Sequence, residues 1–297
     1  MRWVSRAKPW PDNAPGTWHV DTGCIDCGCC RVVAPSTFGE ADDHAFVREQ
    51  PSSPELLHRA GMALVACPVH AIHGEGADLR AAAASFPDPV APGVYACGFA
   101  SAATFGASSW LVVRPDGNVL VDVPRPVPAL LDRIRALGGV RTLFLTHRDD
   151  IDGHDKMAAA FGCERVMHAA DRCAASEGVE HYLDGDSTLA PGVDALHLPG
   201  HTQGSMALLV DGSYLFSGDH LWGRGPRGWV AEGAEGGLGA GRSVCWYDWR
   251  EQIRSMERLL DHDFAAVYPG HGRPWTGGRE ARQPALQRLI AWMREVS

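Results

Sequence analysis

Four of the nine cysteines of this 297-residue chain fall within seven residues, in Cys24-Ile-Asp-Cys27-Gly-Cys29-Cys30. That crowding constrains the fold more than any other feature. A disulfide framework belongs to short secreted chains with an even cysteine count. Here the count is odd, the chain is long, and the opening Met1-Arg2-Trp3-Val4-Ser5 lacks the apolar stretch of a cleaved leader. Ligation in a reducing, cytoplasmic compartment is therefore the expectation. Cys24, Cys27 and Cys30 form C-x2-C-x2-C, and Cys67, followed by Pro68, supplies a fourth thiolate. A cubane iron–sulfur cluster needs four thiolates, which one compact loop and one distant cysteine can supply. A zinc knuckle uses similar spacing and is the competing structural explanation. Cys29 reads as a packed or capping thiol rather than a ligand.

Residues 20–75 resemble a single-cluster bacterial-type ferredoxin, and Ala66-Cys67-Pro68-Val69-His70-Ala71-Ile72 is similar to that family's ACPxxAI segment. Two-cluster ferredoxins carry a further Cys four residues after the third, serving the other cluster. Ala34 stands there, followed by Pro35. The resemblance thus implies one 4Fe-4S cluster, held by Cys24, Cys27, Cys30 and Cys67.

The chain length suggests about two domains. Residues 1–20, rich in Trp and Pro, read as a lead-in arm. Phe86-Pro87-Asp88-Pro89-Val90-Ala91-Pro92-Gly93 packs three prolines and a glycine into eight residues. That is the best linker candidate, and it puts a boundary near residue 90, with domains 1–90 and 91–297. The net charge is −9 with no basic run, which argues against nucleic acid or an anionic membrane as a partner. No stretch of about 18 apolar residues is present, so no membrane-spanning helix is expected.

Beyond the boundary, strands alternate with helices. Trp110–Val113 and Asn118–Asp122 flank Pro115-Asp116-Gly117 and read as a hairpin. Pro128 to Leu137 has helical spacing, Arg141 to Thr146 reads as a strand, and Ser205–Val210 with Tyr214–Phe216 make a second hairpin. Residues 223–241 contain eight glycines and suggest a long mobile loop. Trp249–Leu260 and Pro284–Val296 read as helices.

Histidines and aspartates recur where these strands should end: His147-Arg-Asp149-Asp150-Ile-Asp152-Gly-His154, Pro199-Gly-His201-Thr-Gln-Gly-Ser205, Ser217-Gly-Asp219-His220, and Tyr268-Pro-Gly-His271-Gly272. Asp122 ends the first hairpin. His147 and Asp149 are two apart on an extended tail and so share a face. A lone histidine is usually just a satisfied polar group, and the chain has 14. Four such segments in this order resemble the metallo-β-lactamase superfamily over residues 93–297.

The resemblance implies an α+β protein: a ferredoxin-like 4Fe-4S domain followed by an αββα sandwich holding one or two metal ions. It carries the metal ligands onto His147, Asp149, His154, His201, Asp219 and His271, with Asp219 as the bridge and Asp122 as a supporting residue. Asp149, Asp219 and His220 are the expected catalytic residues. The first motif departs from the family's HxHxDH. It spans eight positions, Asp149 replaces its second histidine, and either Asp150 or Asp152 can take the family's Asp. Carboxylate in place of imidazole favours iron, with zinc or manganese as alternatives. Flavodiiron proteins, a redox branch of the superfamily, carry a carboxylate at that position too. His168 could approach the site or simply be a packed polar group. Trp222, Trp229, Trp246 and Trp249, with Arg224 and Arg227, could line a pocket for a small anionic or aromatic substrate, or form a hydrophobic cluster under the loop.

Two functions follow as expectations. In the first, the cluster, charged by an electron-donor protein or reductase, feeds electrons to a non-haem iron site acting on a small molecule. In the second, the metal site activates water for hydrolysis of an ester, thioester or amide, and the cluster is structural or sensing. The redox reading is preferred because a one-electron carrier is fused to a hardened metal site.

Overall fold

The computed structural model describes residues 7–225, 231–233 and 237–297. Seven strands form one sheet in the order His181–Leu183, Glu164–His168, Thr142–Phe144, Val119–Val121, Trp110–Val112, Val94–Ala96 and Asp88–Ala91. The first four run parallel and the rest antiparallel. A second sheet orders Ser187–Ala190, Val193–His197, Met206–Val210, Tyr214–Gly218 and Ala266–Pro269.

The central strands are buried along their whole length because each sheet is covered on both faces. Alternation sorts their side chains. Trp110, Val121 and Phe144 face Leu208, Phe216 and Tyr268 of the second sheet. Leu111, Leu120 and Leu143 face the opposite way, towards Leu130 and Ile134 of helix Pro128–Ala136. Behind the second sheet, Leu209 and Leu215 meet Ile253 and Met256 of helix Trp249–Arg258 and Leu286 and Leu289 of helix Arg279–Glu295. The result is the expected αββα sandwich.

The N-terminal region builds on helices Cys29–Val33 and Pro54–Ala66. Ser53 caps the longer helix by accepting from the Leu56 amide, and Pro54 occupies its first position. Residues 7–20 of the expected lead-in arm, the part described, belong to this body. His19–Val20 pairs with Ile72–His73, and Trp18 is buried with its indole donating to the Glu75 carbonyl.

The expected linker is a strand. Asp88–Ala91 pairs with Val94–Ala96 at one end of the seven-stranded sheet, an edge position that tolerates Pro89. Nor are the hydrophobic cores separate. Val33, Phe38, Met62 and Phe86 belong to the same buried cluster as Leu111, Leu120 and Leu143. Burying each such side chain is worth about 1.5–3 kcal/mol against a total stability of about 5–15, so baring this face would consume much of the margin.

Two other expectations shift. Of the expected loop at residues 223–241, 226–230 and 234–236 lie outside the described residues; beside them, Trp222–Gly223 pairs with Leu238–Gly239, and Leu238 and Ala240 are buried. The last helix starts at Arg279 rather than Pro284, because the proline sits inside the helix instead of opening it. No described helix is long and apolar enough to cross a membrane.

Candidate functional site

The second metal motif is built where strands of both sheets end. Beyond Thr142–Phe144, His147 is extended and Arg148–Asp150 form a single tight turn that buries Asp150. Asp219 follows Tyr214–Gly218, and His271 follows Ala266–Pro269. Two glycines are needed for the approach. At Gly218, with φ of 52°, a Cβ would lie 2.5 Å from Thr146 Oγ1, and at Gly270 one would lie 2.7 Å from Asp219 Oδ1.

His147, His201 and Asp219 converge as one group of donor atoms, and Asp150, Asp219 and His271 as another. Asp219 is common to both. Each histidine is oriented by its other ring nitrogen. The Thr146 hydroxyl donates to Asp122, so His147 Nδ1 donates to that hydroxyl at 2.9 Å. His201 Nδ1 donates to the Val244 carbonyl at 2.7 Å. Both Nε2 atoms are left bare: they are buried, have no hydrogen-bond partner among the described residues, and lie 3.7 and 3.9 Å from Asp219 Oδ2. Asp150 Oδ2 is likewise buried without a hydrogen bond. Two orphaned imidazole nitrogens, each held by a partner at its Nδ1, beside an orphaned carboxylate oxygen are what a metal site requires.

The electrostatics agree. Burial pushes His147 down to about 4, keeping its imidazole neutral and able to ligate. Burial, reinforced by Asp219, raises Asp150 well above the carboxylate range. Burial would also raise Asp219, but His271 outweighs it and holds Asp219 below that range. His271 would be lowered by burial, yet Asp219 and Asp150 raise it to about 10. Its Nε2 donates to the Phe105 carbonyl at 3.3 Å and its Nδ1 lies 2.8 Å from both Asp219 oxygens. Without a cation, a proton on His271 offsets the crowded carboxylates.

Asp149 stands at the edge, half-exposed, 3.6 Å from His201 Nε2, and kept below its ordinary range chiefly by that histidine. Asp150, not Asp152, joins the cluster, and Asp152 instead accepts from the Ser101 hydroxyl. His154 lies apart from it. Arg165 faces its Nδ1 at 3.1 Å and its Nε2 donates to the Ala175 carbonyl, because the eight-position motif turns this side chain into the helix packing. The expected ligand role for His154 has no support in this geometry. His220 is buried with both ring nitrogens unpartnered, and burial depresses it to about 3, but it belongs to neither donor group. His168 caps a turn through the Ala170 amide and stacks on His197 at 3.7 Å.

Sequence reasoning missed Asp171. Buried, it accepts from the Arg148 amide, the Thr202 hydroxyl and the Gly204 amide, tying the His147 and His201 loops together. Its segment, Ala169-Ala-Asp171-Arg, carries no local signal.

A cavity of about 540 Å³ opens onto these residues, with Phe105, Trp222 and Trp246 on its walls. Trp249 instead packs on Trp292, and Arg224 donates to the Ala231 carbonyl, so neither lines it. Trp229 and Arg227 lie outside the described residues.

None of the nine cysteines is in a disulfide. Cys24, Cys27, Cys30 and Cys67 line one small cavity with Cys29. Backbone amides of Asp26 and Ala45 donate to Cys24 Sγ at 3.4 and 3.5 Å, and amides of Val69, His70 and Ala71 face the Cys67 sulfur. Amides turned on sulfur suit the thiolates of an iron–sulfur cluster. Cys29 donates its S–H to the Gly106 carbonyl at 3.2 Å.

Residues 20–74 match the model of the 4Fe-4S single cluster domain of ferredoxin I, and residues 90–228 that of the metallo-beta-lactamase superfamily. Ferredoxin MycCII of Micromonospora griseorubida is 43% identical over 53 residues, covering 18% of this chain and 72% of its own. An uncharacterized protein of Mycobacterium tuberculosis is 26% identical over 231 residues, 66% of this chain and 96% of its own. Among solved structures, the DIM-1 metallo-beta-lactamase has a TM-score of 0.53 at 17% identity, over 70% of this chain and 96% of its own. A metallo-beta-lactamase from Erythrobacter litoralis gives 0.50 at 17%, over 70% and 91%. At such identity these two structures speak to fold alone.

Proposed function

Since residues 20–74 are a ferredoxin-type 4Fe-4S domain and residues 90–228 a metallo-β-lactamase-superfamily domain, we propose that this metalloprotein performs redox chemistry at a second, iron-preferring site. The observation that carries this reading is the donor set. Two carboxylates, Asp150 and Asp219, stand with three imidazoles, His147, His201 and His271, in two donor groups that share Asp219, and a third carboxylate, Asp149, borders them 3.6 Å from His201 Nε2. Hard oxygen donors in that proportion favour iron or manganese over zinc.

Cys24, Cys27, Cys30 and Cys67 would hold the cluster, and the His and Asp residues would hold one or two metal ions, with Asp219 within reach of both donor groups. When bound, these groups supply one-electron chemistry. The chain's own side chains do the rest. Thr146 and Val244 keep the Nε2 atoms of His147 and His201 aimed inward. Phe105, Trp222 and Trp246 exclude water around a small molecule entering the cavity. Asp149, ionised and half-exposed on the wall, accepts a proton from the bound substrate or from water.

That last placement also favours the second reading, metal-assisted hydrolysis, in which Asp149 serves as base towards a zinc-activated water. Metal analysis with Mössbauer spectra on anaerobically purified protein separates the two. Iron well beyond the four atoms of the cluster, with a distinct second-site signal, is expected; four irons with zinc in the second site would transfer the conclusion to hydrolysis.

A further inference from the structure

The segment from Ser101 to Ser108 touches both sites: Ala103, Thr104 and Phe105 line the cavity over the histidine–aspartate cluster, and Gly106 meets the cysteine loop. Gly106 faces the cysteines. A Cβ there would fall 2.4 Å from Cys27 Cβ and 2.8 Å from its sulfur, at a φ of +85°, so the close approach requires glycine. Its carbonyl accepts from Cys29. Phe105 faces the other way: its carbonyl accepts from His271 Nε2, and its ring lies 6.1 Å from the His271 ring. Two residues past Gly106, the Ser108 amide donates to the Gly270 carbonyl at 2.6 Å, fixing the backbone that carries His271.

The segment is set in an uncommon shape. Phe105 is left-handed, with φ of 51°, although it bears a side chain, and that ring is more than half exposed. Hydrogen bonds from the Phe105 amide to Ala102 and from the Gly106 amide to Ser101 hold the turn closed. Left-handed backbone at a non-glycine residue persists only where its surroundings over-determine it. A second crossing runs beside it. Asp26, in the cysteine loop, pairs with Arg31, Arg31 with Glu40, and Glu40 with Arg273, two residues past His271.

We infer that the Phe105–Gly106 peptide couples the two sites, so that a cluster seated against Gly106 holds His271 in its ligating orientation and a metal bound by His271 is felt by the cluster. Phe105 and Gly106 are positioning residues: neither is among the proposed ligands. The inference rests on the metal-binding part of the reading above and not on its redox part, since it holds for zinc as well as for iron. Coupling of this kind is reciprocal. If reducing the cluster changes zinc affinity tenfold, zinc must shift the cluster's one-electron potential by about 59 mV.

The test uses the full cluster-bearing protein. Its reduction potential is measured by EPR-monitored titration with the second site empty and then saturated with zinc, which has no redox chemistry of its own. Gly106→Ala, in which Cβ presses on Cys27, is carried through the same measurement with cluster content and melting temperature recorded. A shift of at least the tenfold equivalent is expected in the wild type, with at least half of it lost in Gly106→Ala. An unchanged wild-type potential under zinc overturns the coupling. An undiminished shift in a cluster-loaded Gly106→Ala shows that it passes elsewhere, and overturns the assignment to this peptide. Should the variant shed its cluster or fail to fold, titration of cobalt(II) into wild type with the cluster oxidised and then reduced decides: equal affinities sink the proposal. A zinc shift in a protein whose second site, as purified, holds zinc rather than iron would leave the coupling standing and bring down the redox reading alone.

Discussion

The two candidate metal sites are assembled in opposite ways. The cysteine cavity draws three of its four thiolates from one turn of seven residues, and only Cys67, at the end of helix Pro54–Ala66, comes from a distance. The histidine–aspartate cluster gathers donors spread from His147 to His271, one loop at a time, from the strand ends of two sheets. A local site depends on its own turn. A dispersed site depends on the sandwich being correct first, and its precision is held by residues that never touch a metal, such as Thr146, Asp122 and Asp171.

That contrast can be broken most severely at Cys67. Cys67→Ala removes the one distant thiolate, and three thiolates from a single turn hold a cubane poorly. Loss of the visible cluster absorbance and of at least nine-tenths of the cluster iron is expected; full retention would mean that Cys29, which lines the same cavity, ligates instead. Next in size is Asp219→Ala. Because both donor groups share this carboxylate, second-site metal should fall by at least half, and further than in His271→Ala. Equal losses measured by elemental analysis would favour a single-ion site.

Thr146→Val sharpens the comparison on the supporting side. It strips the hydroxyl that donates to buried Asp122 and accepts from His147, at a cost of about 1–3 kcal/mol for unsatisfied buried groups. Chemical denaturation should show that loss, and the cluster absorbance should be unchanged at temperatures where the protein stays folded. The smallest effect on metal is expected from His154→Ala. Its ring faces Arg165 and the Ala175 carbonyl, so second-site metal content should stay at the wild-type level while some stability is lost. A large drop in metal would restore His154 to the ligand set.

These differences also explain what was readable in the chain. The cysteine motif carries its geometry in its spacing, and the domain match over residues 20–74 is where C-x2-C-x2-C and Cys67-Pro68 point. The sandwich was legible because strand ends carrying His or Asp beside Gly recur in order. Within the first motif the spacing was ambiguous. Only the tight turn at Arg148–Asp150 separates Asp150, turned inward, from Asp152, turned towards Ser101. Asp171 was illegible because its partners, Thr202 and Gly204, lie more than thirty residues away and nothing beside it announces them. The proline-rich stretch at 86–93 misled for the opposite reason. Its composition is that of a linker, and only the sheet it borders makes it a strand.

That bordering strand has a further consequence. A sheet's outermost strand presents free amides and carbonyls on which another chain can grow, the usual route to edge-to-edge association. Asp88–Ala91 occupies that rim, and Pro89 within it has no N–H to offer. The residues that join the ferredoxin body to the sandwich therefore also make this rim a poorer template for an added strand.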